Sequence, residues 1–122
     1  AIHDMIKFIR SPVTTIGSGW VASAGTHIFL AAPKERRLCL PNTRFMIHQP
    51  GGGAGGPAAD IAIQAKEIIK TRERIARTVS DATGQDYDKV LLDMERDFWM
   101  SPKEATAYGI VDKVIQTIGE LD

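Results

Sequence analysis

The sequence predicts an α/β fold with a largely parallel sheet, and three observations carry that expectation. Short β-branched or apolar runs alternate with segments at helical spacing, the pattern of strands side by side with helices between them. The 122 residues suffice for a core, so one domain over 1–122 is expected. Apolar residues make up 43 % and charged residues 25 %, as in a soluble globular chain.

The elements follow in order. Ile2, Met5, Ile6 and Ile9 lie at helical spacing, and Ser11-Pro12 ends that helix because proline disfavours helix at the residue before it. Val13 to Ile16 is a β-branched run and reads as a strand, broken by Gly17 to Gly19. From about Ala22 to Ala32, small and apolar residues predict a buried helix stopped by Pro33. "RRLCLP" and "RFMIHQ" read as two more strands. The low-complexity run "GGGAGGP" is either a surface loop or a strand edge whose missing side chains leave its main chain open to a peptide. A long helix is expected from about Ala58 to Thr83. Ile61, Ala65, Ile68, Ile75 and Val79 form its stripe, and Glu67, Arg72, Glu73, Arg74 and Arg77 cover the other side. Gly84 is its C′ stop, and Asp86 caps a helix holding Val90, Leu91 and Met94. "SPKEATAYG" is a punctuated helix with Ser101 as N-cap, Pro102 at N1, Glu104 closing a capping box and Gly109 at C′. "IVDKVI" is a final strand.

Composition excludes several functions. Lys+Arg and Asp+Glu are both 15, so no bulk charge draws the chain to nucleic acid or an anionic membrane. No apolar run approaches the roughly 18 residues that span a bilayer. Cys39, the single cysteine, cannot form an internal disulfide and reads as a small buried hydrophobe, which points to a reducing compartment. There is no H-x-x-x-H and no paired Cys/His spacing, so neither metal nor cofactor is expected.

One stretch, "GSGWVASAG", carries two chemistries. Gly17-x-Gly19-x-x-Ala22 fits a pyrophosphate cradle, but no acidic residue ends the next strand and no G-K-[ST] follows. Ser23 between two alanines, at a strand-to-helix corner, fits an exposed nucleophile beside helix N–H groups. The plainer alternative is that Ser23 only caps the helix. A nucleophile needs a base, and the candidates are His3, His27 and His48. His3 sits beside an apolar stripe and reads as structural. His27 lies one turn after Ser23, but helical side chains lean towards the N-terminus, which places it poorly. His48 closes a strand just before Pro50, where sheet ends build sites.

These residues line up with a family. "SxxVASAG", "LPNTRFMIHQP", "DIAIQAKEI", "TGQ" and "ERDFWMSPKEATAYGIVDKVI" resemble, in that order and over nearly the whole chain, the proteolytic subunit of the Clp protease, ClpP. The resemblance implies Ser23 as nucleophile, His48 as base and Asp97 as the acid that orients it. Asp97 comes from the resemblance alone, since nothing beside it singles it out among 15 acids. The resemblance also implies the Ala24 N–H as an oxyanion donor and Gly51, Gly52 and Gly53 as a substrate-binding strand. It implies a crotonase-like head with a protruding handle over 49–83, which joins two stacked seven-membered rings. It implies an AAA+ Clp ATPase that unfolds polypeptides for the chamber, in the cytoplasm or an organelle matrix. The family's N-terminal strand, axial loop and upstream second oxyanion donor have no counterpart in these 122 residues. Trp20, Ala24 and Gly51 depart from the usual motifs. Ala24 and Gly51 remove volume beside the catalytic pair, so tolerance of bulky apolar residues before the scissile bond (P1) is expected. Two other functions fit the fold: a noncatalytic ring partner, and an acyl-CoA enzyme of the crotonase type.

Overall fold

The structure, a computed structural model, describes residues 1–50 and 56–121. Gly51, Gly52 and Gly53 lie outside the described residues. Helix α1 covers Ile2–Phe8. Strands β1 (Thr15–Gly17) and β2 (Trp20–Ala22) precede α2 (Ala24–Phe29). Strands β3 (Arg37–Cys39) and β4 (Arg44–Ile47) precede α3 (Ala58–Thr83) and α4 (Tyr87–Asp93). Strand β5 (Phe98–Met100), α5 (Pro102–Tyr108) and β6 (Lys113–Val114) complete the order.

The strands form two three-stranded sheets, β1-β3-β6 and β2-β4-β5. The chain passes from the first to the second twice. Gly17 to Gly19 turns β1 into β2, and Leu40 to Thr43 turns β3 into β4. The two corners are bonded to each other: Leu40 N–H donates to the Gly17 carbonyl, and Arg44 N–H to that of Gly19. A β-carbon on Gly17 would lie 3.1 Å from the Phe45 ring and 3.3 Å from the Thr43 methyl, so glycine is needed for this close crossing.

Two expectations change here. The helix placed from about Ala22 begins at Ala24, because Trp20–Ala22 pairs in parallel with Arg44–Met46 as a strand. In place of one sheet there are two, largely parallel as expected: among the described pairings only β5 runs antiparallel, to β4, with Ile47 opposite Phe98. Outside residues 51–55, the other expected helices and strands are present, among them the complete capping box of Ser101 and Glu104. The core joins both layers. Phe45, Leu30, Met94, Met100 and Ile110 are fully buried, and Phe29 meets Phe45 edge to face at 5.3 Å. Among the described residues, no helix is long and apolar enough to cross a membrane.

Candidate active site

Ser23 sits between β2 and α2 with φ 55° and ψ −119°. Among the described residues it is the sole non-glycine with positive φ. Its side chain makes no capping bond to the helix, so helix capping is not what it does. Instead its Oγ lies 2.6 Å from Nε2 of His48. The contact follows from the packing of α2 on the sheet. Ala22 pairs with Met46, which sets Ser23 and His48 just beyond adjacent strand ends. One helical turn on, the buried Thr26 hydroxyl lies 2.9 Å from the Val21 carbonyl and 2.7 Å from that of Met46. It ties α2 to both strands and fixes the distance between their ends.

Asp97 is exposed and immediately precedes β5. Continuing the β4–β5 register one step past Ile47 and Phe98 sets His48 opposite Asp97. Directly opposed residues of an antiparallel pair are neighbours. Gln49 secures this arrangement, its N–H donating to the Met94 carbonyl at 2.8 Å. The described contacts include no hydrogen bond between His48 and Asp97. The structure thus bonds serine to histidine and leaves the acid alongside.

A cleft of about 580 Å³ opens beside this pair, lined by Ser23, Ala24, His48, Pro50, Arg74 and Ile75 among others. His3 and His27 also line it. Their rings stack at 4.3 Å between centroids. Burial lowers the pKa of both imidazoles from the ordinary histidine value. Lys7 adds to this at His3 and His3 itself at His27, while Asp4 opposes it at both. Neither ring reaches Ser23 or His48 with a hydrogen bond. His27 is thus excluded as the bonded partner of Ser23, in line with its lean along α2, yet it shares the cleft. Trp20, 76 % exposed, meets Trp99 edge to face at 5.2 Å.

Sequence reasoning missed Arg37, which the strand "RRLCLP" presents as an ordinary strand arginine. It is 2 % exposed. Its guanidinium donates to the carbonyls of Ile110, Ala32, Ala82 and Gly109 at 2.7 to 3.0 Å. Burial lowers its pKa, and Glu35 and Asp112 oppose that.

Known proteins match this chain in sequence and fold. A family model described as Clp protease matches residues 1–118. The chain belongs to the Clp protease family. It is 59 % identical over 121 residues to ATP-dependent Clp protease proteolytic subunit 3 of Rhizobium meliloti (strain 1021), covering 99 % of this chain and 62 % of that one. It is 57 % identical to ATP-dependent Clp protease proteolytic subunit 2 of Gluconobacter oxydans (strain 621H), covering 98 % of this chain and 55 % of the relative. The fold superposes with a TM-score of 0.92 on a ClpP1 mutant from Listeria monocytogenes at 55 % identity, covering 99 % of this chain and 67 % of that structure. The chain therefore spans 62 % and 55 % of the length of these curated relatives.

Proposed function

We propose that the protein is a serine endopeptidase, the proteolytic subunit of an ATP-dependent Clp protease. The observation that carries this reading is the 2.6 Å contact of Ser23 Oγ with His48 Nε2, on a serine held in a strained turn. Ser23 Oγ attacks the scissile carbonyl carbon while its proton passes to His48 Nε2. The tetrahedral oxyanion is met by the Ala24 N–H at the start of α2. Collapse breaks the C–N bond, and His48 returns the proton to the leaving amine. Water then hydrolyses the acyl-enzyme with His48 again as base. Asp97, one register step from His48, holds the imidazole tautomer once it closes on Nδ1. A gap here is compatible with the role, because catalytic hydrogen bonds tighten on forming the working complex.

Gly51, Gly52 and Gly53 supply the main-chain edge on which an extended polypeptide pairs. The relatives' names point to an ATP-driven partner, and we infer an AAA+ unfoldase that delivers unfolded chains to a chamber of two seven-membered rings. The segment 49–83 forms the handle between those rings. The compartment is the cytoplasm or an organelle matrix.

The complete Ser-His contact disfavours a noncatalytic ring partner, and an acyl-CoA enzyme has no use for it. A fluorophosphonate probe tests the reading. It should label Ser23, and Ser23→Ala, His48→Ala and Asp97→Asn should each lower peptide hydrolysis by about three orders of magnitude or more. Near wild-type hydrolysis by Ser23→Ala would remove the assignment.

A further inference from the structure

Helix α1 is held to the body by few side chains. Among its seven residues only His3 is buried; Ile6 is half-buried, and Ile2, Met5 and Phe8 are exposed. The ring of His3 stacks on that of His27 in α2, with centroids 4.3 Å apart and planes tilted by 31°. A histidine that docks a helix makes the docking depend on protons, because its charge changes near neutral pH.

The enclosed nitrogen of His27 sets the direction of that dependence. Its Nδ1 lies in protein with no hydrogen-bond partner among the described residues. A neutral imidazole can leave Nδ1 bare. The imidazolium carries a proton on both nitrogens, so a charged His27 must hold an enclosed N–H at Nδ1 with no acceptor. A charge on His3, one ring away, adds repulsion.

The groups around the pair do not remove this cost. On α1, the exposed Asp4 carboxylate lies 3.7 Å from His3 Nδ1 and favours a charge there, while Lys7 and the Ala1 amino group oppose it. From α3, Arg74 opposes a charge on His27. His48, at the end of β4, lines the same cleft as both rings, and Lys34, Arg36 and Asp81 line a second cleft that His3 also borders. Burial is the largest influence on either ring and lowers the pKa of both.

We propose that the His3–His27 stack is a proton-operated latch: neutral, it docks α1 on α2, and on taking up protons in mildly acid solution it releases α1 and the wall of the cleft that α1 forms. The sign follows from linkage. Released, the rings take up protons at the ordinary histidine value; docked, they do so only at lower pH. Between the two the released form binds more protons, so docking is at full strength above the ordinary value and weakens as pH falls below it. The latch goes beyond the peptidase reading and stands on packing; only its effect on cleavage rests on that reading. Helix α1 supplies His3 and Asp4 to the cleft beside Ser23, so its release opens that side. The Thr26 hydroxyl still ties α2 to β2 and β4, which keeps Ser23 beside His48. Release therefore acts on substrate binding.

Backbone hydrogen exchange on the purified assembled protein tests the latch, at about pH 8 and about pH 5.5, either side of the ordinary histidine value and corrected for the chemical exchange rate. The Met5 and Ile9 amides, bonded to the Ala1 and Met5 carbonyls, should lose protection by at least about tenfold at the lower pH, the scale of one bond lost by a charged group. His3→Phe/His27→Phe keeps two flat rings, and His3→Gln/His27→Gln keeps two polar side chains. Neither pair titrates, and each should hold α1 alike at both pH values. In the wild type, ring signals of isotope-labelled histidine should show His3 and His27 titrating over the interval in which protection falls, a reading that needs no substitution. Between the same pH values, KM for a fluorogenic peptide should rise more in the wild type than in either double variant. Wild-type protection that does not change with pH, protection lost equally in both double variants, or a loss over an interval where neither ring titrates overturns the latch. Equal rises in KM overturn its role in cleavage. Failure of Ser23 to label with a fluorophosphonate removes the peptidase reading, and the exchange result still decides the latch.

Discussion

At the scale of single residues, the backbone of Ser23 holds a conformation that a β-carbon disfavours. Its φ of 55° with ψ −119° belongs to the region where glycine is at ease. Holding another residue there costs about 1–3 kcal/mol. The turn sets Oγ towards His48 instead of the helix N–H groups, so the strain serves the contact. Ser23→Ala and Ser23→Gly both remove Oγ and should both lack activity, but only glycine relaxes the turn. Glycine also loosens the unfolded chain, by about 0.4–1 kcal/mol, which is less than the strain. Ser23→Gly should therefore melt a few degrees above Ser23→Ala. Equal or reversed Tm values by thermal unfolding would show that no strain resides at this turn. Much of the site was legible in the sequence for local reasons. Ser23 stood at a strand-to-helix corner and His48 at a strand end, and the corner and the end prove to be adjacent. Asp97 was not legible from its neighbours, because its relation to His48 arises from a strand pairing between distant segments. The shared cleft of His3 and His27 was likewise hidden, since it depends on how α1 lies against α2.

At the scale of elements, two helix ends converge on one strand. The C-termini of α3 and α5 both present free carbonyls, and each end carries partial negative charge. Arg37 of β3 answers both, bonding Ala82 in the last turn of α3 and Gly109 and Ile110 at the end of α5. Gly109 has φ 100°, and a β-carbon there would run into the Thr83 carbonyl. Gly109→Ala should therefore destabilise the protein by about 3 kcal/mol, from the strained cap and the clash together. Arg37→Met leaves four carbonyls without their donor and should cost at least as much. Urea midpoints measure both, and an unchanged midpoint for either variant would refute this account of the junction. The elements themselves were legible where local chemistry decides them. The capping box, Gly84 and Gly109 stops and the α3 stripe all depend on residues within one or two turns. Strand β5 was not, because three residues carry no period and only their pairing with β4 makes them a strand. Arg37 escaped for the same reason: its acceptors lie up to 73 residues away.

At the scale of the whole molecule, α3 runs past the core it packs on. Its 26 residues run about 39 Å. Ala76 and Val79 are buried in the core, and Ile75 lines the cleft. Towards the N-terminus the same helix leaves the core. Ile61, Ile63 and Ile69 are 38 %, 60 % and 52 % exposed. Bare isoleucines along a projecting helix mark a surface that another chain covers. In the proposed double ring that chain is a second copy, and the helices of opposed rings interdigitate. Ile75 and Arg74 belong to the same helix and line the cleft, so in the proposed assembly order imposed on the projecting half would reach the site. That is the route we propose for assembly to close Asp97 on His48. A charge at Ile75 would disturb the cleft directly, so the informative positions are the exposed ones. Ile63→Glu and Ile69→Glu touch no core residue and should leave the body folded. Each should yield smaller particles in sedimentation and lower peptide hydrolysis by at least about tenfold, because a buried unpaired carboxylate at the contact is strongly unfavourable. A small monodisperse species with full activity would break the link between assembly and the site, whereas smaller particles that regain activity when assembly is forced at high protein concentration would establish it.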